Sequence, residues 1–380
     1  MQNVLKKIDE LADSYIELWQ EVCNIESPTA YKQGVDAACQ PLLRIAKERG
    51  WDIRMCPQKN AGDAFSITIN PDAAAAPVVF SGHMDTVHPV GLFGMPAVRM
   101  DEEKIYGPGV ADCKGGVVAA LLALDALWQC GFVRRPVKLV VQTDEETSSE
   151  NSGLKTIDFM VEESKDAVAF LNAETMCGNT AVLIRKGILR YRFTVHGKAM
   201  HGSKCTEGAS AICEAAHKII ELEKMKDPKG LTCNCGVISG GTTVNSVPDR
   251  CSFEVDIRFA TMEECREAEV ICHKIAEEST VAGCTCTLEQ ISLRPGMPLV
   301  DRNVALFDKM NTIYAQCGLP QLTATSRPSG SDAAYTTQAG IPTVDNVGVD
   351  GGEIHSIREF AYLDSLAASA KRLATVAWSL

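Results

Sequence analysis

Ala75-Ala76-Pro77-Val78-Val79-Phe80-Ser81-Gly82-His83-Met84-Asp85-Thr86-Val87-His88-Pro89 runs from an unbroken apolar stretch into a polar motif. The apolar part, residues 75–81, suits a strand buried on both faces. The chain repeats this device. Val137-Lys138-Leu139-Val140-Val141-Gln142-Thr143 leads to Asp144-Glu145-Glu146-Thr147, and Ala167-Val168-Ala169-Phe170-Leu171-Asn172 leads to Ala173-Glu174-Thr175. Residues 117–127 read as an apolar helix leaving the turn Gly109-Val110-Ala111-Asp112-Cys113-Lys114-Gly115-Gly116. Strands, polar sites and helices in alternation describe an α/β domain with a mostly parallel sheet. Such sheets carry their sites at the carboxyl ends of strands, where all four motifs are expected.

Working outward, residues 4–24 form an amphipathic helix with Leu5, Ile8, Leu11, Tyr15, Leu18 and Val22 at helical spacing. A second helix spans 35–49 and stops at Gly50, and residues 65–69 alternate as a strand. The texture changes near residue 180. Strands at 188–196, 231–239, 249–259 and 284–293 interleave with helices at 209–225 and 262–279. The order β-α-β-β-α-β is that of a ferredoxin-like α+β insert. The α/β texture then resumes with a helix at 301–316, the turn Ser329-Gly330-Ser331-Asp332, a strand at 341–347 and a helix after Leu363. The expected division is a discontinuous α/β domain, 1–179 with 293–380, split by an inserted domain at 180–292.

At 380 residues two domains are the first expectation. A formal charge of −12 argues against a nucleic-acid partner, whose phosphates need a basic face. No apolar stretch reaches the ~18–20 residues of a membrane span. The first residues lack the apolar segment of a secretion signal, so a cytoplasmic location is expected. Sixteen cysteines are many, but a disulfide framework belongs to short secreted chains. Cys233-Asn234-Cys235 and Cys284-Thr285-Cys286 read as zinc or redox pairs, or as small apolar residues on a strand face in a reducing compartment.

The motifs carry a consistent chemistry. Asp85, two residues from His83 on extended backbone, faces the same side and can hold its second ring nitrogen; the competing reading is a turn residue. Glu145 and Glu146, as strand neighbours, face opposite ways, so one can ligate a metal while the other stays free as a base; the competing reading is a solvated surface pair. Asp112 can bridge two cations or cap the following helix. Glu174 ends a strand, and His355 follows Gly351-Gly352-Glu353-Ile354; either can be incidental. Together they offer two imidazoles and three carboxylates as ligands, with one glutamate to spare. Zinc accepts such donors, and two ions can share a carboxylate and a water whose pKa falls toward ~7. The spare acid would take the proton of that water and pass it to a leaving amine.

These five motifs, in this order and over essentially the whole chain, resemble the co-catalytic zinc hydrolases that include glutamate carboxypeptidase, acetylornithine deacetylase, succinyl-diaminopimelate desuccinylase and the aminoacylases. The resemblance implies a zinc-hydrolase catalytic domain with an inserted lid and dimerisation domain. By it, His83, Asp112 and Glu174 hold one zinc, and Asp112, Glu146 and His355 hold the other. Asp85 orients His83, and Glu145 is the general acid/base. Cobalt or manganese stay open as alternatives to zinc. The family often has an acid after the bridging aspartate, where this chain has Cys113, and that aspartate commonly precedes a cis peptide.

Gly197-Lys198-Ala199-Met200-His201-Gly202-Ser203 resembles the family's lid motif, whose histidine reaches a neighbouring subunit's site and steadies the oxyanion. This implies a homodimer through the insert. Asn245 and Arg258 match lid positions that contact substrate; alone, Arg258 reads equally as a surface strand arginine. Glu174 is the residue usual in the carboxypeptidase and deacylase branches. Arg294-Pro295, Tyr106-Gly107-Pro108-Gly109 and Ser331-Asp332-Ala333-Ala334-Tyr335 resemble the glutamate carboxypeptidase branch, in which the arginine binds the substrate carboxylate. Backbone N–H groups of Ser329, Gly330 and Ser331 can serve the same carboxylate. The expected activity is release of a C-terminal amino acid, with Glu as the candidate residue, from a small peptide. The alternatives are an N-acyl-amino-acid deacylase and, remotely, a non-catalytic metal-binding protein. His88, His196, His217 and His273 match no motif and read as structural.

Overall fold

A computed structural model describes residues 1–227 and 230–380. The chain forms two compact units. One comprises Met1–Leu183, Leu299–Ser326 and Ser331–Leu380; the other comprises Ile184–Pro298 with Arg327–Gly330.

The first unit begins with helices α1 (Gln2–Asn24) and α2 (Lys32–Arg49), the latter closed by Gly50 in the left-handed conformation. Strands β1 (Asp52–Cys56), β2 (Ala64–Ile69) and β3 (Val78–His83) follow, then the short pair β4 (Arg99–Met100) and β5 (Lys104–Tyr106). The strand expected at 75–81 therefore starts later and ends on His83 itself. Helix α3 (Lys114–Gln129) is next, then β6 (Val137–Gln142), α4 (Lys155–Glu163), β7 (Ala169–Asn172) and β8 (Thr180–Arg185).

Helix α3 is buried from Lys114 through Leu127. A helix apolar all round can be stable only inside a core, and α3 lies among α1 and the later helix Asp364–Ser379. Its one acid in that run, Asp125, accepts hydrogen bonds from Tyr15 at 2.9 Å and from Arg49 at 3.0 and 3.1 Å. Gly116 in its first turn permits a very close approach. A Cβ there would meet the Ala173 carbonyl oxygen at 1.8 Å, next to Glu174. Gly116→Ala is expected to cost about 1–3 kcal/mol through overpacking and to displace the Ala173-Glu174 segment. A lowered urea midpoint is the expected result; an unchanged midpoint would contradict the close approach.

The second unit opens with β9 (Gly187–His196) and β10 (Met200–His201). It continues through α5 (Ala211–Glu223), β11 (Thr232–Gly240), β12 (Ser246–Val247), β13 (Arg250–Phe259), α6 (Met262–Glu277) and β14 (Thr285–Arg294). The sheet order β11-β13-β9-β14, with every pairing antiparallel, is the ferredoxin-like arrangement. Alternate residues of β9, Leu189, Tyr191, Phe193 and Val195, face its core, where Phe193 stacks on Phe253 at 4.8 Å. A Thr261–Glu264 capping box starts α6.

The chain then returns with α7 (Asp301–Cys317), β15 (Thr323–Arg327), α8 (Ala333–Gln338) and β16 (Thr343–Val344). It ends with β17 (Gly351–Gly352), β18 (Phe360–Tyr362) and α9 (Asp364–Ser379). The strand expected at 341–347 shrinks to β16 because Asn346 turns into the left-handed region. The central sheet has the order β1-β2-β6-β3-β7-β16, parallel from β6 to β16 and antiparallel at β1 and β2. Register aligns the carboxyl ends of its middle strands: His83 lies opposite Gln142, and Ser81 opposite Asn172.

Candidate metal centre

That alignment brings three motifs to one edge of the first unit. His83 is the last residue of β3, Glu145–Thr147 form a single 3-10 turn after β6, and Glu174 follows β7. The two glutamates are thus turn residues, not strand neighbours. Asp112 comes from the loop before α3. It does not cap that helix: the cap position is Cys113, without a side-chain bond. The Asp112–Cys113 peptide is cis.

The donor atoms fall into two sets that share Asp112. His83 Nε2 is 3.3 Å from Asp112 Oδ1 and 3.5 Å from Glu174 Oε1. His355 Nε2 is 3.1 Å from Asp112 Oδ2 and 3.3 Å from Glu146 Oε2. His355 and Glu353 both hold positive φ, 60° and 55°, which costs non-glycine residues energy and fits a segment constrained by function.

Asp85, fully buried, organises this edge. His83 Nδ1 lies 3.0 Å from the Asp85 carbonyl and 3.4 Å from its carboxylate. The same carboxylate accepts from the Thr29 hydroxyl at 2.7 Å and from the backbone N–H groups of Glu145 and Glu146 at 3.2 Å each. A proton on Nδ1 leaves the Nε2 lone pair for a cation. Asp85 therefore fixes the imidazole and the double-glutamate turn together. Thr29 was not foreseen, since its partner lies 56 residues away and no local pattern marks it.

Electrostatics support a cation here. Burial, and then the Asp112 charge, push Glu146 up to about 8 and hold Glu174 well above the usual carboxylate range. Burial opposes charge on His83, yet Cys113, Glu174, Asp112 and Asp85 outweigh it and raise its pKa. Asp112 and then Glu146 raise His355 to about 10. Asp112 is held low against its burial by the two imidazoles. The protons stand where a metal would relieve the crowding of carboxylates, so the residues fit a divalent cation with mixed nitrogen and oxygen donors. Cys113 Sγ also lies within 4.8 Å of the His83 and Glu174 donors. Burial pushes its thiol up to about 12, and it accepts the His83 N–H at 3.1 Å.

Metal-free protein gives a pH test. Raised folded-state values for Glu146 and His355 mean that the native state binds more protons than the unfolded chain between the ordinary values, 4.5 and 6.5, and about 8 and about 10. Stability must then fall as pH rises through that window. With EDTA, the urea midpoint is expected to be lower at pH 9 than at pH 6. Zinc should reverse the trend, because binding displaces those protons. A metal-free midpoint that climbs with pH would refute the arrangement.

The remaining candidates lie in the second unit, except Ser331. His201 on β10 pairs with Ser246 on β12, and the Asn245 carbonyl accepts the Gly202 N–H at 2.7 Å. Arg258 contacts both oxygens of its neighbour Asp256, at 2.6 and 3.1 Å, in an ion pair on the sheet that also takes Arg190. Arg294 is buried at the end of β14, and a Cβ on Gly330 would come within 2.6 Å of its Cδ. A second buried arginine, Arg185, donates to the Ser329 hydroxyl at 2.8 Å and to the Gly330 carbonyl at 3.1 Å. Sequence reading missed it. Ser331, in the first unit, has its hydroxyl engaged by Asn172 at 3.1 Å. The Cys233 and Cys235 side chains are buried and half-buried on β11 and belong to neither donor set.

A mostly parallel sheet with carboxylate and imidazole donors gathered at its strand ends fits the class of metal-dependent hydrolases. The chain belongs to peptidase family M20/M25/M40, whose profile matches residues 79–379. It is a metallopeptidase or amidohydrolase acting on peptide or amide bonds. It is similar to carboxypeptidase G2 of Pseudomonas sp. (strain RS-16), 27% identical over 90% of this chain and 83% of that one. It is also similar to acetylornithine deacetylase of Photorhabdus laumondii, 25% identical over 64% of this chain and 67% of the relative. Among solved structures, a tripeptidase from Staphylococcus aureus superposes with a TM-score of 0.77 at 23% identity, covering 97% of this chain and 98% of that one. No helix among the described residues is long and apolar enough to cross a membrane.

Proposed function

We propose that the protein is a two-zinc hydrolase that releases a C-terminal amino acid, with Glu favoured, from a small peptide. The observation that carries the two-ion reading is the pair of donor sets sharing the two oxygens of Asp112. His83, Asp112 and Glu174 would hold one ion; Asp112, Glu146 and His355 would hold the other. When bound, such ions bring the pKa of water toward ~7 and polarise a carbonyl. Glu145 takes the proton of the attacking water and hands it to the leaving amine. Its backbone N–H, fixed by Asp85, keeps it beside the ligands.

Arg294, with Asn245, Arg258 and the Ser329-Gly330-Ser331 turn, is assigned to the substrate and its free carboxylate, for which a guanidinium is the strongest protein partner. His201 is assigned to the oxyanion, acting across a homodimer formed through the insert. Its Nδ1 accepts the Ser203 N–H at 3.3 Å, which favours the tautomer with a donor proton on Nε2. The exposed edge strand β11, with Val237 and Ile238 open to solvent, supports pairing of two inserts. Sixteen free cysteines support a reducing, cytoplasmic setting.

The similarity to carboxypeptidase G2 over most of both chains favours peptides, and the similarity to acetylornithine deacetylase keeps N-acyl amino acids as the second reading. One substrate panel separates them. Zinc-loaded protein is given N-acetyl and N-succinyl amino acids beside peptides ending in Glu, Ala or Leu. Preference for C-terminal Glu supports the proposal. Preference for small acyl groups moves the protein to the deacylase branch and leaves Arg294 a general carboxylate anchor.

A further inference from the structure

Glu359 is 1% exposed, belongs to none of the motifs above, and lies four residues beyond His355. Its carboxylate is filled from outside its own segment. Oε1 accepts the backbone N–H groups of Ala111 at 2.9 Å and Asp112 at 3.0 Å. Oε2 accepts the Gly109 N–H at 3.1 Å and lies 3.2 Å from His88 Nε2. A carboxylate has about four lone-pair sites, so these four donors use its whole capacity and leave it no role as a metal ligand. The sheet explains the placement: Phe360 on β18 pairs with Tyr106 on β5, which sets Glu359 beside the loop that leaves β5. The backbone adds a bond from the Gly107 N–H to the Glu359 carbonyl at 3.3 Å.

We propose that Glu359, assisted by His88, is the positioning residue of the metal centre, clamping together the three segments that carry His83, Asp112 and His355. The inference rests on the reading of those three residues as ligands. The Asp112 loop runs through Gly107 and Gly109, both at positive φ. Such a loop has little regular hydrogen bonding of its own, and a buried anion that binds three of its N–H groups gives it one shape. Both oxygens of Asp112 must be aimed, one at each donor set, so rotation of this loop would disturb both. His88, from the segment just after Asp85, is buried and edge-on to Phe93 at 4.9 Å. Its bond to Glu359 ties the His83 segment to the same anchor.

The test uses full-length Glu359→Ala, Glu359→Gln and His88→Ala, with Asp112→Asn alongside. Zinc affinity is measured by competition with a chromogenic chelator, kcat and KM on the best substrate of the panel, and folding by urea denaturation. Partners of metal ligands typically matter 10–100-fold, so folded Glu359→Ala is expected to bind zinc 10–100-fold more weakly and to lose kcat to a similar degree, with KM little changed. Glu359→Gln should recover part of both, since an amide oxygen still accepts from the loop. A purely structural role would lower the urea midpoint and leave zinc affinity of the folded protein intact, and that result overturns the proposal. If Glu359→Ala does not fold, Glu359→Gln and His88→Ala decide: wild-type zinc affinity and kcat in both overturn it, and weakened zinc in both supports it. Asp112→Asn that binds zinc and turns over normally would overturn the ligand reading itself; loss of zinc there, with zinc kept in folded Glu359→Ala, overturns only the role of Glu359.

Discussion

Glu145→Gln is expected to lower kcat by ~10²–10⁴-fold, the usual contribution of a positioned general acid/base, while the protein keeps its full complement of zinc. In barrier terms that is about 3–5 kcal/mol. The substitution is nearly isosteric and leaves the backbone N–H of residue 145 on Asp85, so the turn and its neighbour Glu146 stay in place. What disappears is the ability to accept a proton from water and to deliver one to the departing amine. KM should move little, because the carboxylate is assigned to the proton and not to the substrate's binding groups. Metal content by mass spectrometry and steady-state kinetics decide the matter together. Full zinc with undiminished turnover would remove Glu145 from the mechanism; loss of zinc would make it a ligand instead.

Asp112→Asn should have the larger effect, since one side chain serves both donor sets. The amide keeps one acceptor and turns an NH₂ group toward one of the two imidazoles, so at least one set loses its partner and the shared link is broken. On the proposed two-ion reading, turnover is expected to drop by at least ~10⁴-fold, because the water activation that the ions would supply is lost. Stability offers an independent readout. At a zinc concentration near 1,000 times its dissociation constant, the unmodified protein should gain about 4 kcal/mol over the metal-free form by mass action. The Asp112→Asn variant should gain far less. Equal zinc stabilisation in the two proteins would rule out Asp112 as the shared ligand.

Much of this centre is legible in the chain because its donors sit in short motifs next to strongly patterned elements. The apolar runs before His83, Glu145 and Glu174 announce β3, β6 and β7, and a parallel register then carries the three motifs to one edge. The alternation of β9, β13 and β14 likewise marks the insert, although alternation is silent on the order β11-β13-β9-β14. Local pattern fails where partners are distant. Thr29 reaches Asp85 across 56 residues and Glu359 reaches Ala111 across 248, and neither residue has neighbours that advertise its task. His88, read as structural, meets its carboxylate partner 271 residues on. Turn geometry is the other blind spot. Two adjacent glutamates at the end of an apolar run look like strand residues, and the structure puts them instead in the 3-10 turn Glu145–Thr147. The strand expected at 341–347 failed for the same kind of reason, at the left-handed Asn346.

The first unit is interrupted in sequence and the second is nearly continuous, and this has a consequence for biosynthesis. A ribosome completes Ile184–Pro298 while the host around it is still unfinished. Helix α3, dry on every side in the finished protein, waits for α9 to be made before its cover is whole. Until then its apolar surface is open to solvent and to other nascent chains, a state prone to aggregation and suited to chaperone binding. The donor sets are completed late for the same reason: translation must pass His355 before its set with Asp112 and Glu146 exists.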